Sequence, residues 1–171
     1  MRSTRPSIAR TLDVVGERWS SLILRDVWVG LTRFEQIQTD LDISRKVLTE
    51  RLNHLVDHGV LERRAYDRRP RYEYVLNGKG TELVDVLMVM VGWADKRLTV
   101  TAGPPVLYRH HACGEISHVD LRCAHCGQPM HAGDIELLPR PRRCGMNEHS
   151  RVTEAVSRSR PMTAAVPHTE P

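Results

Sequence analysis

The chain lacks an apolar run long enough to span a bilayer, which takes about 20 predominantly apolar residues. Its opening stretch Met1-Arg2-Ser3-Thr4-Arg5-Pro6 lacks the apolar core of a signal peptide. A cytoplasmic protein without membrane partners is the expectation. A nucleophile elbow, a phosphate-binding loop and an open-site metal triad are missing too, although Asp, Glu and His are individually abundant. These absences argue against an enzyme. Aromatics are scarce, and Phe34 is the single phenylalanine. No cysteine precedes Cys113, so everything upstream must fold without disulfides. Four cysteines in a cytoplasmic chain suit metal ligands or redox thiols better than a cross-linked framework.

What is present suffices for one hydrophobic core plus a small extra module, since the chain has 171 residues. The net charge of +4 and a pI near 9.1 weakly favour a polyanionic partner, because Lys and Arg neutralise phosphates. Residues 1–5 read as a loose basic arm. A first helix can start after Pro6, with Ile8, Leu12 and Val15 as its apolar stripe and Gly16 as its stop. A second, Glu17 to Val29, carries Trp19, Leu22, Ile23, Val27 and Trp28, and its tryptophans are expected in the core rather than in a ligand cavity. A short third helix reads over 31–37, capped by Thr32 with Glu35 completing a capping box and Phe34 anchoring it under the next helix.

That next helix organises the chain. Ser44 is a good N-cap, and Ile43 and Leu48 occupy the two positions of a hydrophobic staple. At ~100° per residue, Leu48, Leu52, Leu55 and Val56 share one face and Lys46, Val47, Glu50, Asn53 and His54 the opposite one. One side is core and the other a polar surface. Gly59 fits the helix stop, after which Val60 to Arg64 and Arg71 to Leu76 read as the strands of a hairpin. Between Glu62 and Arg71 five arginines face two acids, a local charge of +3 at the projecting tip. A polar-faced helix followed by a basic hairpin is the arrangement of a winged helix-turn-helix; a solvated charged loop is the plain alternative for the hairpin alone. Beyond it, Asn77 caps a long helix to about Leu98 that is apolar nearly all round. Such a helix must be covered on two sides, which a second subunit would supply.

These residues resemble the HxlR-type winged helix-turn-helix transcriptional regulators of the MarR-like superfamily. The resemblance rests on Ile8 to Trp19, on Leu22-Ile23-Leu24-Arg25-Asp26, on Arg33-Phe34, on Ser44 to Leu52 and on Tyr74 to Gly80. It implies a mainly α fold with a small β-wing, and a dimeric DNA-binding regulator paired through its terminal helices: Gly78 to Leu98 and the N-terminal helix. Carried onto this chain, the helix from Ser44 to Asp57 should enter the major groove. Ser44, Arg45, Lys46, Thr49 and Asn53 become candidates for base edges or adjacent phosphates, and Val47 for a thymine methyl. Glu50 could accept from a cytosine amino group or tie down an arginine. Arg51, at the margin of the apolar face, suits a phosphate or an internal salt bridge. Arg68 and Arg69, with Tyr66 and Arg71, should bind backbone phosphate from the wing. One departure matters. Members of the family often carry a cysteine just before the Ser-Ile-Ala-Arg stretch, and some sense oxidants with it; here Pro6 stands there, so that thiol control is closed.

After Gly103-Pro104-Pro105 the composition changes, with seven of nine histidines and all four cysteines beyond Arg109. His110-x2-Cys113-Gly114 and Cys123-x2-Cys126-Gly127 have the spacing of paired zinc knuckles, in which two ligands converge from one turn. The set His110, Cys113, Cys123 and Cys126, with His111 as substitute for His110, implies a structural Zn(II) in a zinc-ribbon-like module over 101–138. The alternative is a degenerate ribbon with reduced thiols and no metal. Cys144 falls outside the pattern, and 139–171, rich in Pro, Arg, Ser and Thr without periodicity, is expected to be disordered. The expected function is a homodimeric repressor reading a two-fold operator, with residues 6–100 forming its DNA-binding and dimerisation domain. A protein-interaction adaptor using the cysteine module is the alternative. The sequence names no effector.

Overall fold

The computed structural model describes residues 6–66, 71–98, 106–136 and 138. Five helices and one hairpin carry the first part: α1 (Ser7–Val15), α2 (Arg18–Trp28), α3 (Phe34–Leu41), α4 (Arg45–Asp57), β1 (Leu61–Ala65), β2 (Tyr72–Leu76) and α5 (Gly78–Arg97). A short antiparallel pair follows, β3 (Tyr108–Arg109) with β4 (Ile116–Ser117), and a single 3-10 turn spans Ala132–Asp134. One compact unit ends at Val119 and a second begins at Asp120. Among the described residues no helix is long and apolar enough to cross a membrane.

The core of the first unit gathers one face from each of three helices and the base of the hairpin. Ile23, Leu24 and Val27 of α2, Ile37 of α3, Leu48, Leu52 and Leu55 of α4, and Val60, Leu61 and Tyr74 are all buried. Each large aliphatic side chain taken fully from water contributes roughly 1.5–3 kcal/mol, so the α4 stripe alone outweighs any single surface contact. Helix ends are set locally. The Ser44 hydroxyl accepts from the Val47 amide at 3.3 Å, and Asn77 Oδ1 from the Gly80 amide at 3.0 Å. Gly59 ends α4 with φ of 64°, a left-handed turn that L side chains resist. Gly80 is required for a different reason. A Cβ there would stand 2.1 Å from the Val60 carbonyl oxygen, so α5 can cross the start of the hairpin only without a side chain.

Two expectations need correction. Helix α3 starts at Phe34, not near Thr32, because the preceding residues are drawn into the hairpin: the Tyr74 amide donates to the Thr32 carbonyl at 2.8 Å and Arg33 bridges Glu73. The shift makes Gln36, not Glu35, the residue that accepts from the N-cap amide, here Arg33 N at 3.0 Å. Trp28 is not a core residue. It is 40 % exposed at the end of α2, beside the Tyr108 ring at 6.1 Å, since the buried face of that helix runs through Ile23, Leu24 and Val27. Trp19 does pack against the core.

Candidate nucleic-acid interface

Helix α4 follows α3 through a tight turn in which Asp42 takes φ of 47°. Helix α2 braces α3 from behind, where Arg25 donates to Asp26 at 2.9 Å and to Asp40 at 2.7 Å. Burial raises the Asp26 carboxyl above the ordinary aspartate range, and the Arg25 guanidinium counters only part of that. With its apolar stripe committed to the core, α4 turns its other side outward. Arg45, Lys46, Thr49 and Asn53 are all exposed and fall within an arc of about 100° at the helical repeat. Thr49 spends its hydroxyl proton on the Arg45 carbonyl at 2.8 Å, leaving a lone pair and a methyl group outward. The Ser44 hydroxyl accepts at the helix cap and so keeps its proton free to donate. Arg51 and Val47 are half-buried at the margins. His54, expected on the polar face, lies 3.0 Å from the Asp13 carbonyl, which turns it toward α1.

The hairpin stands beside this helix with Arg63 opposite Tyr74 and Ala65 opposite Tyr72. Tyr66 and Arg71 close its described part, whereas Arg68 and Arg69 lie outside the described residues. Arg64 is tied to Glu62 at 2.9 Å and Arg63 stacks on Tyr72 at 4.4 Å, so two of the wing's five arginines are already partnered. Between the hairpin and α3 opens a cleft of about 640 Å³, reached by Arg33, Arg45, Tyr66, Arg71 and Tyr72. Arg33 and Tyr72 belong to no sequence-predicted set. Arg33 faces Tyr66 across the fold, a pairing that no local periodicity reveals, although the dipeptide Arg33-Phe34 did figure in the family resemblance.

The family profile described as HxlR-like helix-turn-helix matches residues 14–102. This chain belongs to the HxlR-like family. An uncharacterized HTH-type transcriptional regulator of Mycobacterium tuberculosis is 40% identical over 136 residues, covering 79% of this chain and 86% of the relative. The HTH-type transcriptional regulator YodB of Bacillus subtilis is 34% identical over 93 residues, 53% of this chain and 83% of its own. Among solved structures, the candidate transcription factor PA1607 superposes with a TM-score of 0.72 at 30% identity, covering 80% of this chain and 96% of that one. This HxlR-like chain is therefore a transcriptional regulator with a helix-turn-helix DNA-binding domain, and not an enzyme.

The cysteine segment has its own regularity. In the first knuckle the His110 amide donates to the Glu115 carbonyl at 2.9 Å, the Gly114 amide to the His110 carbonyl at 2.8 Å, and Arg109 to the Gly114 carbonyl at 2.8 Å. In the second the Cys123 amide donates to Gln128 at 2.8 Å, Gly127 to Cys123 at 2.8 Å, and Arg122 to Gly127 at 3.3 Å. Gly114 and Gly127 take φ of 76° and 75°. The two turns are thus built alike, bond for bond. Each brings its two donors together: His110 Nδ1 lies 3.4 Å from Cys113 Sγ, and the Cys123 thiol is held below its usual pKa by N–H groups of Cys126 and then His125, with the Cys126 side chain adding to them. Among the described residues no three His, Cys, Asp or Glu side chains gather as a metal-holding group.

Proposed function

We propose that the protein is a homodimeric repressor that reads a two-fold operator, with α4 in the major groove and the hairpin along the backbone. The observation that carries this reading is the outer face of α4. Four polar side chains of suitable type share one exposed arc, on a helix whose opposite face is locked into the core and therefore cannot roll. Lys46 suits guanine acceptors and Asn53 the adenine edge. Arg45 and Ser44 stand at the helix start, where phosphate and base edge are both within a side chain's length. Arg51 and the wing residues Arg68, Arg69 and Arg71 supply the sequence-independent share. Dimerisation is supported by what α1 and α5 leave uncovered: Ile8 is 72% exposed, Met90 59% and Trp93 60%. Two-fold pairing of such faces would present two copies of α4 to half-sites about one DNA turn, roughly 34 Å, apart.

A structural Zn(II) at His110, Cys113, Cys123 and Cys126 belongs to the same proposal. What supports it is the donor set and the matched construction of the two knuckles, each supplying a convergent pair. Three thiolates and one imidazole would close a tetrahedral shell without a position for water, so the metal would be structural.

Binding of the purified protein to its own promoter fragment and to random duplex tests the DNA reading. Preference for the promoter fragment at physiological salt, with affinity falling steeply as salt rises, is expected. Lys46→Ala or Asn53→Ala should alter which sequences are preferred, and Arg68→Ala should weaken all alike. Equal affinity for random and promoter DNA would defeat the specific-regulator reading.

A further inference from the structure

The cleft between α3 and the hairpin holds a feature that neither element predicts alone. The Arg33 guanidinium lies 4.8 Å over the Tyr66 ring, and the Arg45 guanidinium 4.7 Å over the Phe34 ring, both at the rim of the same 640 Å³ space. Arg71 reaches the cleft from the wing. Among the described residues none of these three arginines has a carboxylate partner, and Glu35 is the single acid of the lining. A guanidinium held over an aromatic ring is shielded on that side by the ring and keeps N–H groups available to an acceptor. The ring fixes the side chain in advance, so a ligand that engages the N–H edge does not bear the entropy of ordering it. A tetrahedral oxyanion matches that edge with two parallel hydrogen bonds. Arg45 joins the cleft to the outer face of α4, so a strand whose bases meet α4 would pass its backbone across the cleft mouth.

We propose that Arg33 clamps a phosphodiester of the DNA backbone, and that Tyr66 is its positioning residue rather than a DNA contact. This rests on the DNA-binding reading above. The assignment moves Tyr66 from contacting phosphate to holding the arginine that does, and adds Arg33 to the interface.

The test is equilibrium binding of the full chain to a promoter duplex and a scrambled duplex between about 50 and 200 mM salt, with the thermal melt of each variant as a folding control. Arg33→Gln should lose about tenfold on both duplexes and flatten the slope of log affinity against log salt by about one. Arg33→Lys should keep the slope and lose part of the affinity, because its charge survives and its planar stack does not. Tyr66→Phe should bind like wild type, Tyr66→Ala should weaken both duplexes, and Tyr66→Ala added to Arg33→Gln should cost nothing more. Unchanged affinity and slope in Arg33→Gln, a loss confined to one sequence, or fully additive losses in the double variant would overturn the proposal. A thermal shift with inorganic phosphate separates the two sources of the anion. If wild type binds neither duplex, the DNA reading itself has failed. An Arg33-dependent phosphate shift in that case would reassign the cleft to a free anion.

Discussion

Asp26 lies fully buried on α2 with one carboxylate oxygen bonded to Arg25 and the other, Oδ2, without a hydrogen-bond partner among the described residues. Burial raises its pKa above 3.8, so the folded chain holds this proton more tightly than the unfolded one does. Its contribution to stability is therefore greatest at pH below 3.8 and declines as pH rises through the elevated folded value; at neutral pH the ionised group is a standing cost that Arg25 offsets in part. Urea unfolding of wild type and Asp26→Asn across that range should show the variant gaining relative to wild type as pH rises, and parallel curves would refute the account. Other single residues differ in how far the sequence announces them. The exposure of Lys46 and Asn53 was legible because the helical repeat alone sorts them from Leu48, Leu52 and Leu55, whereas Arg45 and Thr49, exposed as well, entered through the family resemblance. The contact of Arg33 with Tyr66 was not legible, because the two lie 33 positions apart and only the fold brings them together.

Among the elements, α4, the hairpin and α5 lie within a residue or so of where capping and periodicity put them. Their signals are local: Ser44 and Asn77 cap, Gly59 stops, and β2 alternates. Helix α3 slipped because strand pairing at Thr32 and Arg33 competes with helix initiation, and that competitor is visible only once β2 is in place. Gly80 marks the same kind of tertiary demand on α5. Gly80→Ala should destabilise the fold by about 3 kcal/mol, since a methyl group would meet the Val60 carbonyl rather than a movable side chain. A denaturant midpoint equal to wild type would show that α5 can shift freely at this crossing. Spacing predicts two paired turns at His110–Cys113 and Cys123–Cys126, and the matched hydrogen bonds within each turn are a regularity that spacing alone does not contain. Protein purified without added zinc should carry about one Zn(II) per chain, and Cys126→Ser should reduce it. Less than about half an equivalent, with thiols titrating freely, would count against the ligand set.

For the whole molecule, the excess of apolar residues on α5 was plain in the sequence, but which of them remain outside the core was not. Leu83, Val84 and Leu87 turn inward, while Val86, Met90 and Trp93 stay exposed, and α1 has no fully buried residue at all. In the proposed dimer these faces cover one another. Wild type should therefore sediment at about twice the 19.5 kDa chain mass, and Trp93→Glu with Met90→Glu should give a folded monomer that loses operator affinity. A wild-type monomer that still binds its operator tightly would remove the need for pairing. Reading of a two-fold site is the claim on which the roles of α4, the wing and the subunit pairing all depend. Footprinting of the protein on genomic DNA tests it most directly. Protection of an inverted repeat whose half-sites are centred about one turn, roughly 34 Å, apart is expected; protection without two-fold symmetry, or none beyond that of random sequence, would rule out two-fold reading.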